Sequence, residues 1–224
     1  VSCLTGPAAD NVRVGGTTER WSALAPTLKG KWFVIPVLIA AVVIGLGIWF
    51  YRDYYRMRKF HIVEDGVVFR CATQTGDLSQ RRLFENTKAK TVIILRTEEE
   101  KQKGDWWERE SRIAAEYGVE LVWLHMDCDK APTPEQIKRF LAIVDDPARQ
   151  PVIFHCEVGV IRTGMMAAAY RLERSGWSNA EALKEYEQIA GGHAQNPDRA
   201  GLKEWILNYK PQFPRPKTEE ARAP

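Results

Sequence analysis

His155 and Cys156 close the apolar run Pro151-Val-Ile-Phe154, and Arg162, Thr163 and Gly164 follow across a short loop. These types at this spacing suit one chemistry. A cysteine is a strong nucleophile only as the thiolate, and positive surroundings favour that form. Arginine offers a planar fork of donors that matches two phosphate oxygens. Gly159, three residues after the cysteine, permits the left-handed turn that a tight anion cradle needs. Together they describe a phosphoryl-transfer device in which an anion is held against a sulfur nucleophile. It is not a Walker loop, because no Gly-Lys-Ser/Thr follows. Cys156 taken alone would read as a buried structural thiol; its neighbours argue for more.

Elements on either side must position these groups. The run 151–154 is short and continuously apolar, as a strand covered on both faces is. The segment from Thr163 to Gly176 reads as a helix rich in alanine and methionine. A loop between strand and helix aims backbone N–H groups at one point, and the helix dipole adds positive potential there. Upstream, a hairpin around Asp65-Gly66 opens the pattern. Strands are expected at 91–96 and 119–126, with helices from Asp77, over 98–117 and over 133–144. Two further helices follow Gly176. Alternating strand and helix predicts an α/β fold, a mostly parallel central sheet with helices on both faces. Ligands bind at the carboxyl ends of such strands, where Cys156 falls.

His155-Cys156-x5-Arg162-Thr163-Gly164 resembles the signature of the cysteine-based protein tyrosine phosphatases, and the compact domain is most similar to their dual-specificity branch. The likeness extends to "FRCATQ" (69–74), "VIILR" and the helix pair after the loop, covering roughly residues 60–190. It implies a phosphatase without metal or other cofactor. Cys156 would form a phosphocysteine, and Arg162 would bind the equatorial oxygens. Thr163 would ease departure of the sulfur, and His155 would hold the loop and help set the thiolate. The backbone amides of Glu157, Val158, Gly159, Val160, Ile161 and Arg162 would contact phosphate. The branch also uses an aspartic acid from another loop to protonate the leaving alcohol and then activate water. "HMDCDKAP" supplies Asp127 and Asp129, and Asp129-x-x-Pro132 is preferred on its similarity to lipid-phosphatase-like members. Two residues depart from the family pattern: Ile161, where glycine is common, and Glu157, an acid beside the thiolate. The loop has no lysine, which weighs against an inositol phospholipid.

The rest of the chain narrows the setting. Its 224 residues carry a net charge of +3, too little to argue for nucleic acid. Four unpatterned cysteines argue against a disulfide framework or a zinc site. "WFVIPVLIAAVVIGLGIWFY" (32–51) is uncharged and flanked by aromatic residues, which predicts a transmembrane helix. Arg52, Arg56, Arg58 and Lys59 after it outweigh Lys29 and Lys31 before it, which predicts a single-pass protein with a cytoplasmic catalytic domain. The expected organisation is a flexible tail (1–31), a transmembrane helix (32–51), a basic juxtamembrane linker (52–59), a phosphatase-like domain (60–209) and a disordered tail (210–224). The expected partners are a phosphorylated protein or small phosphomonoester and, through 32–51, a membrane. Two other functions compete. A catalytically silent phosphoprotein-binding module would keep the cradle without a usable acid. A rhodanese-like sulfurtransferase also cradles a cysteine, but Arg-Thr-Gly and the aspartate loop disfavour it.

Overall fold

The computed structural model describes residues 31–51 and 56–215. From residue 60 the chain alternates strand and helix. A hairpin comes first, β1 (His61–Glu64) and β2 (Val68–Ala72). Then come α2 (Asp77–Thr87), β3 (Thr91–Ile94), α3 (Trp106–Tyr117), β4 (Glu120–Trp123) and α4 (Pro134–Val144). β5 (Val152–Cys156), α5 (Ile161–Arg174), α6 (Asn179–Ala190) and α7 (Ala200–Asn208) complete it. The sheet order is β1-β2-β5-β3-β4, with β1 antiparallel to β2 and the other neighbours parallel. β5, which carries the cysteine, is the central strand. Its parallel neighbours β2 and β3 support the loop that leaves it from both sides.

Period-two alternation splits the core into two layers. Val152, Phe154 and Cys156 of β5 join a layer built with α4, α5, α6 and α7. Ile153 faces the other way, into a layer with Phe69, Cys71, Val92 and Ile94, covered by Leu83 and Phe84 of α2 and Trp106 and Ile113 of α3. Sequence signals that start helices operate locally. Thr133 caps α4, accepting from Gln136 N at 3.2 Å while the Gln136 side chain accepts from Thr133 N at 2.7 Å, and Pro134 fills the first position.

Three expectations change. The helix expected over 98–117 is broken: a 3-10 turn (Glu98–Gln102) and α3 flank a non-helical stretch at 103–105. Residues 210–213 lie within the tail expected to be disordered, yet Glu173 accepts from Gln212 N at 2.8 Å and Phe213 N at 3.0 Å. The third concerns the membrane. A helix, α1 (Lys31–Phe50), does form there, and its side chains from Val34 to Phe50 are exposed. Among the described residues no helix is long and apolar enough to cross a membrane. This overturns the transmembrane helix at 32–51, the membrane partner, and the single-pass placement with a cytoplasmic domain. The tail over 1–30, linker residues 52–55 and residues 216–224 lie outside the described residues. Linker residue Arg58 is tied to the domain, its N–H to Gln74 Oε1 at 3.0 Å and its guanidinium to Thr73 O at 3.1 Å.

Candidate active site

β5 runs on to Cys156, and α5 begins at Ile161, two residues earlier than its expected start. Only 157–160 therefore bridge strand and helix. Gly159 makes the turn at φ +72°, and a side chain there would meet the β2 backbone, Cys71 O at 2.7 Å and Ala72 N at 2.8 Å. The loop is pressed against its neighbour strand. Arg70, buried in β2, donates to Gly159 O at 3.0 Å and holds the turn from below. Gly164 is needed for space, because a Cβ there would lie 2.9 Å from the Tyr186 ring of α6.

Gly159→Ala should therefore cost more than φ strain. The left-handed conformation costs about 1–2 kcal/mol, and overpacking against backbone adds about 1–3 kcal/mol. Gly176, at φ +69° with open space around it, pays only the first cost. Denaturant unfolding of Gly159→Ala and Gly176→Ala should show the former clearly less stable; equal losses would remove the packing argument.

Cys156 is buried, 3% exposed. Burial alone would raise its thiol. The Thr163 hydroxyl, the Arg162 guanidinium and the backbone N–H groups of Thr163 and Gly159 outweigh burial and hold it below the ordinary thiol range. Thr163 Oγ1 acts through proximity, since it is buried and makes no full hydrogen bond. Arg162 is gripped by Glu100, NH1 to Oε2 at 2.5 Å and NH2 to Oε1 at 3.0 Å. Its Nε–H is buried without a partner. Burial opposes ionisation of Glu100, but Arg162, the Thr97 N–H and Arg96 bring its carboxyl down to about 2.

Arg96 completes this charge cluster. It is buried, stacks 3.9 Å over Trp106, lies 3.5 Å from Glu100 and reaches exposed Glu157 at 3.7 Å. Glu157, one of the two family departures, is thus turned to an arginine on the rim. Ile161, the other, is buried in the core layer of α5. Trp106 Nε1 donates to Glu100 O at 2.8 Å and fixes the 3-10 turn. On the opposite face of the sheet, His155 Nε2 lies 3.0 Å from Glu110 Oε1 of α3. Cys71 shares that face, away from the layer of Cys156, and burial raises its thiol strongly.

The two candidate acids lie between β4 and α4, both more than half exposed at the side chain, and each meets a cation. Asp127 accepts from Lys130 at 2.7 Å, and Asp129 from Arg199 at 2.8 Å. Lys130 lowers the Asp127 carboxyl, with smaller help from His125 and Arg162. Cys128 between them feels both Arg162 and Cys156, so this loop borders the cradle. Among the described residues no cluster of His, Cys, Asp or Glu gathers as a metal site.

Sequence reasoning missed Glu100, Glu110 and Thr73. Glu100 is one of three consecutive glutamates, and nothing local distinguishes it. Glu110 carries a faint signal, a carboxylate on the apolar stripe of Trp106, Ile113 and Ala114.

A family model described as "DSP-PTPase phosphatase fused to NAD+ Kinase" matches residues 61–203. A probable NAD kinase 2, chloroplastic, of Oryza sativa subsp. japonica is 35% identical over 83 residues, 37% of this chain and 8% of that protein. The inositol diphosphatase DSP1 of the same organism is 28% identical over 145 residues, 62% of this chain and 60% of that protein. This chain thus spans less than two thirds of either relative. The core catalytic domain of the PP-IP phosphatase SIW14 from S. cerevisiae, crystallised with citrate, superposes with a TM-score of 0.55 at 25% identity, covering 70% of this chain and 88% of that one.

Proposed function

Because the chain belongs to the family of DSP-PTPase phosphatases described as fused to NAD+ kinase, we propose that it hydrolyses phosphate monoesters through a phosphocysteine on Cys156. One observation carries the reading. A thiol held low in pKa sits at the N-terminus of α5 beside a buried donor, Arg162 Nε, that has no hydrogen-bond partner. An unpaired buried donor is costly, and a phosphate oxygen satisfies it.

In this mechanism Cys156 Sγ attacks phosphorus as the P–O ester bond breaks. Arg162 and the N–H groups of Glu157, Val158, Gly159, Val160, Ile161 and Arg162 stabilise the equatorial oxygens. Asp129 gives its proton to the leaving oxygen. It then takes a proton from the water that attacks phosphorus, the S–P bond breaks, and inorganic phosphate and the thiolate result. Thr163 stabilises the departing sulfur, and His155 supports the strand end. Asp129 must release Arg199 to act, and Asp127 is its rival.

Phosphorylated protein or small phosphomonoester is the substrate class. A second reading, a diphosphate-bearing inositol, draws on the names of the relatives. The cradle weighs against it, since residues 157–161 contain no lysine or arginine and one acid.

The test uses the full chain with an aryl phosphate, phosphotyrosine and phosphoserine peptides, an inositol diphosphate and thiosulfate. Rapid acid quench should trap phosphate on Cys156. Asp129→Asn should slow an alkyl phosphate by roughly 10²–10³-fold and an aryl phosphate with a good leaving group much less. The same pattern in Asp127→Asn alone would move the acid to Asp127. Binding of phosphopeptide without release would favour the silent module, and turnover of thiosulfate alone the sulfurtransferase.

A further inference from the structure

Glu110 has no task in the reaction above, yet it stands on the buried stripe of α3 at 3% exposure. A carboxylate in a core costs free energy unless an opposite charge meets it. Alternation along β5 turns Cys156 to one face of the sheet and His155 to the other, toward α3. There His155 Nε2 lies 3.0 Å from Glu110 Oε1. The carboxylate lies off the N–H direction, so this is an ion-pair contact without a full hydrogen bond, and Glu110 Oε2 has no hydrogen-bond partner.

The other ring nitrogen bears on the proton count. His155 Nδ1 lies 3.2 Å from Cys156 O and 3.3 Å from Thr73 Oγ1. A carbonyl only accepts, so a bare lone pair on Nδ1 would face oxygen lone pairs. The Thr73 hydroxyl gives its one proton to Cys156 O at 3.1 Å and accepts from Arg96 at 3.3 Å. Nδ1 therefore donates. With Nε2 facing a carboxylate and Nδ1 donating, both nitrogens would carry protons and the ring would be positive.

We infer that Glu110 is a positioning residue that holds His155 as an imidazolium behind Cys156 and so keeps the sulfur charged. Its role in turnover rests on the phosphatase reading; the charge arrangement does not. The ionisable groups around the ring are Glu110 from α3, Cys71 paired across β2, Arg96 after β3 through Thr73, Arg162 at the start of α5, and Cys156 itself. The two arginines are engaged with Glu100, and Cys71 is held as a thiol by burial. Burial works against a charged ring, and Glu110 and Cys156 outweigh it.

Two measurements on the full chain test this. In the wild type, 15N spectra should show both His155 ring nitrogens protonated at pH 7; a neutral, single-tautomer ring there would overturn the inference. Glu110→Gln keeps the shape and removes the charge. It should raise the pH midpoint of Cys156 alkylation by iodoacetamide by about one unit. It should also lower kcat/KM about tenfold on the acidic limb, with the high-pH plateau kept. A folded Glu110→Gln protein with an unmoved alkylation midpoint would also overturn it. If the variant does not fold, the wild-type spectrum decides. Neither readout needs turnover, so loss of the phosphatase reading leaves both standing.

Discussion

Cys156→Ser is expected to lower phosphate release from an aryl phosphate by on the order of 10⁴-fold or more in kcat. The expectation follows from the sulfur's surroundings. Every influence on it except burial favours the thiolate: the Thr163 hydroxyl, Arg162, and the N–H groups of Thr163 and Gly159. The same donors cannot ionise a serine hydroxyl, whose proton is held far more tightly than that of a thiol. Serine also fits the site with little change of volume, so the variant should fold and bind phosphate or a phosphopeptide near wild-type strength. The pH profile supplies the sign. A group with a lowered pKa is charged above that pKa and regains its proton as pH falls through it. Wild-type kcat/KM should therefore decline on the acidic side by about tenfold per pH unit below the Cys156 pKa. Residual Cys156→Ser activity should lack that limb. Steady-state assays across pH with matched phosphate-binding titrations check both halves. Retained turnover in Cys156→Ser would remove the phosphocysteine.

The fold was largely legible because its signals are local. The β-branched run of β3, the capping box at Thr133 and the apolar run into His155-Cys156 all lie within a few residues of what they specify. The cradle was legible for the same reason, since Cys156 to Thr163 is one contiguous segment. What supports the cradle was not. Glu100 reaches Arg162 only because the predicted helix over 98–117 breaks, leaving a 3-10 turn that Trp106 pins. Glu110 meets His155 from 45 positions earlier in the chain, on a helix on the other face of the sheet. Arg70 supports the loop through Gly159 O, from a neighbouring strand far away in sequence. The aspartates were found as a pair, but their partners, Lys130 and Arg199, depend on how the loop between β4 and α4 lies against the C-terminal segment. The segment 32–51 misled by composition: a helix forms, but among the described residues none is long and apolar enough to cross a membrane.

Arg162→Lys is expected to lower kcat by roughly 10³-fold, about 4 kcal/mol of transition-state stabilisation, with a much smaller change in KM. Charge is conserved, so the loss must come from shape. The guanidinium serves two partners at once. Its terminal nitrogens hold Glu100 at 2.5 and 3.0 Å, and Nε–H remains unpaired in the cradle's interior. An ammonium is a single point of charge and cannot do both. Pairing with Glu100 would withdraw it from the phosphate; turning to the phosphate would leave Glu100 with Arg96 at 3.5 Å and the Thr97 N–H at 2.8 Å. Glu100→Gln separates these functions. It keeps the guanidinium but loosens its anchor, so its loss should be smaller, about tenfold, and should fall on kcat. The linkage has a definite sign. A carboxyl lowered to about 2 in the native state stabilises the fold above its ordinary carboxylate pKa, and this contribution is lost as pH falls from there toward 2. Wild type should therefore lose more stability over that acid range than Glu100→Gln, which has no such proton to take up. Denaturant midpoints from pH 5 to pH 2, set beside kcat and KM for the three proteins, test the arrangement. Equal acid sensitivity of wild type and Glu100→Gln, or an Arg162→Lys enzyme changed in KM alone, would detach Glu100 from the arginine's work.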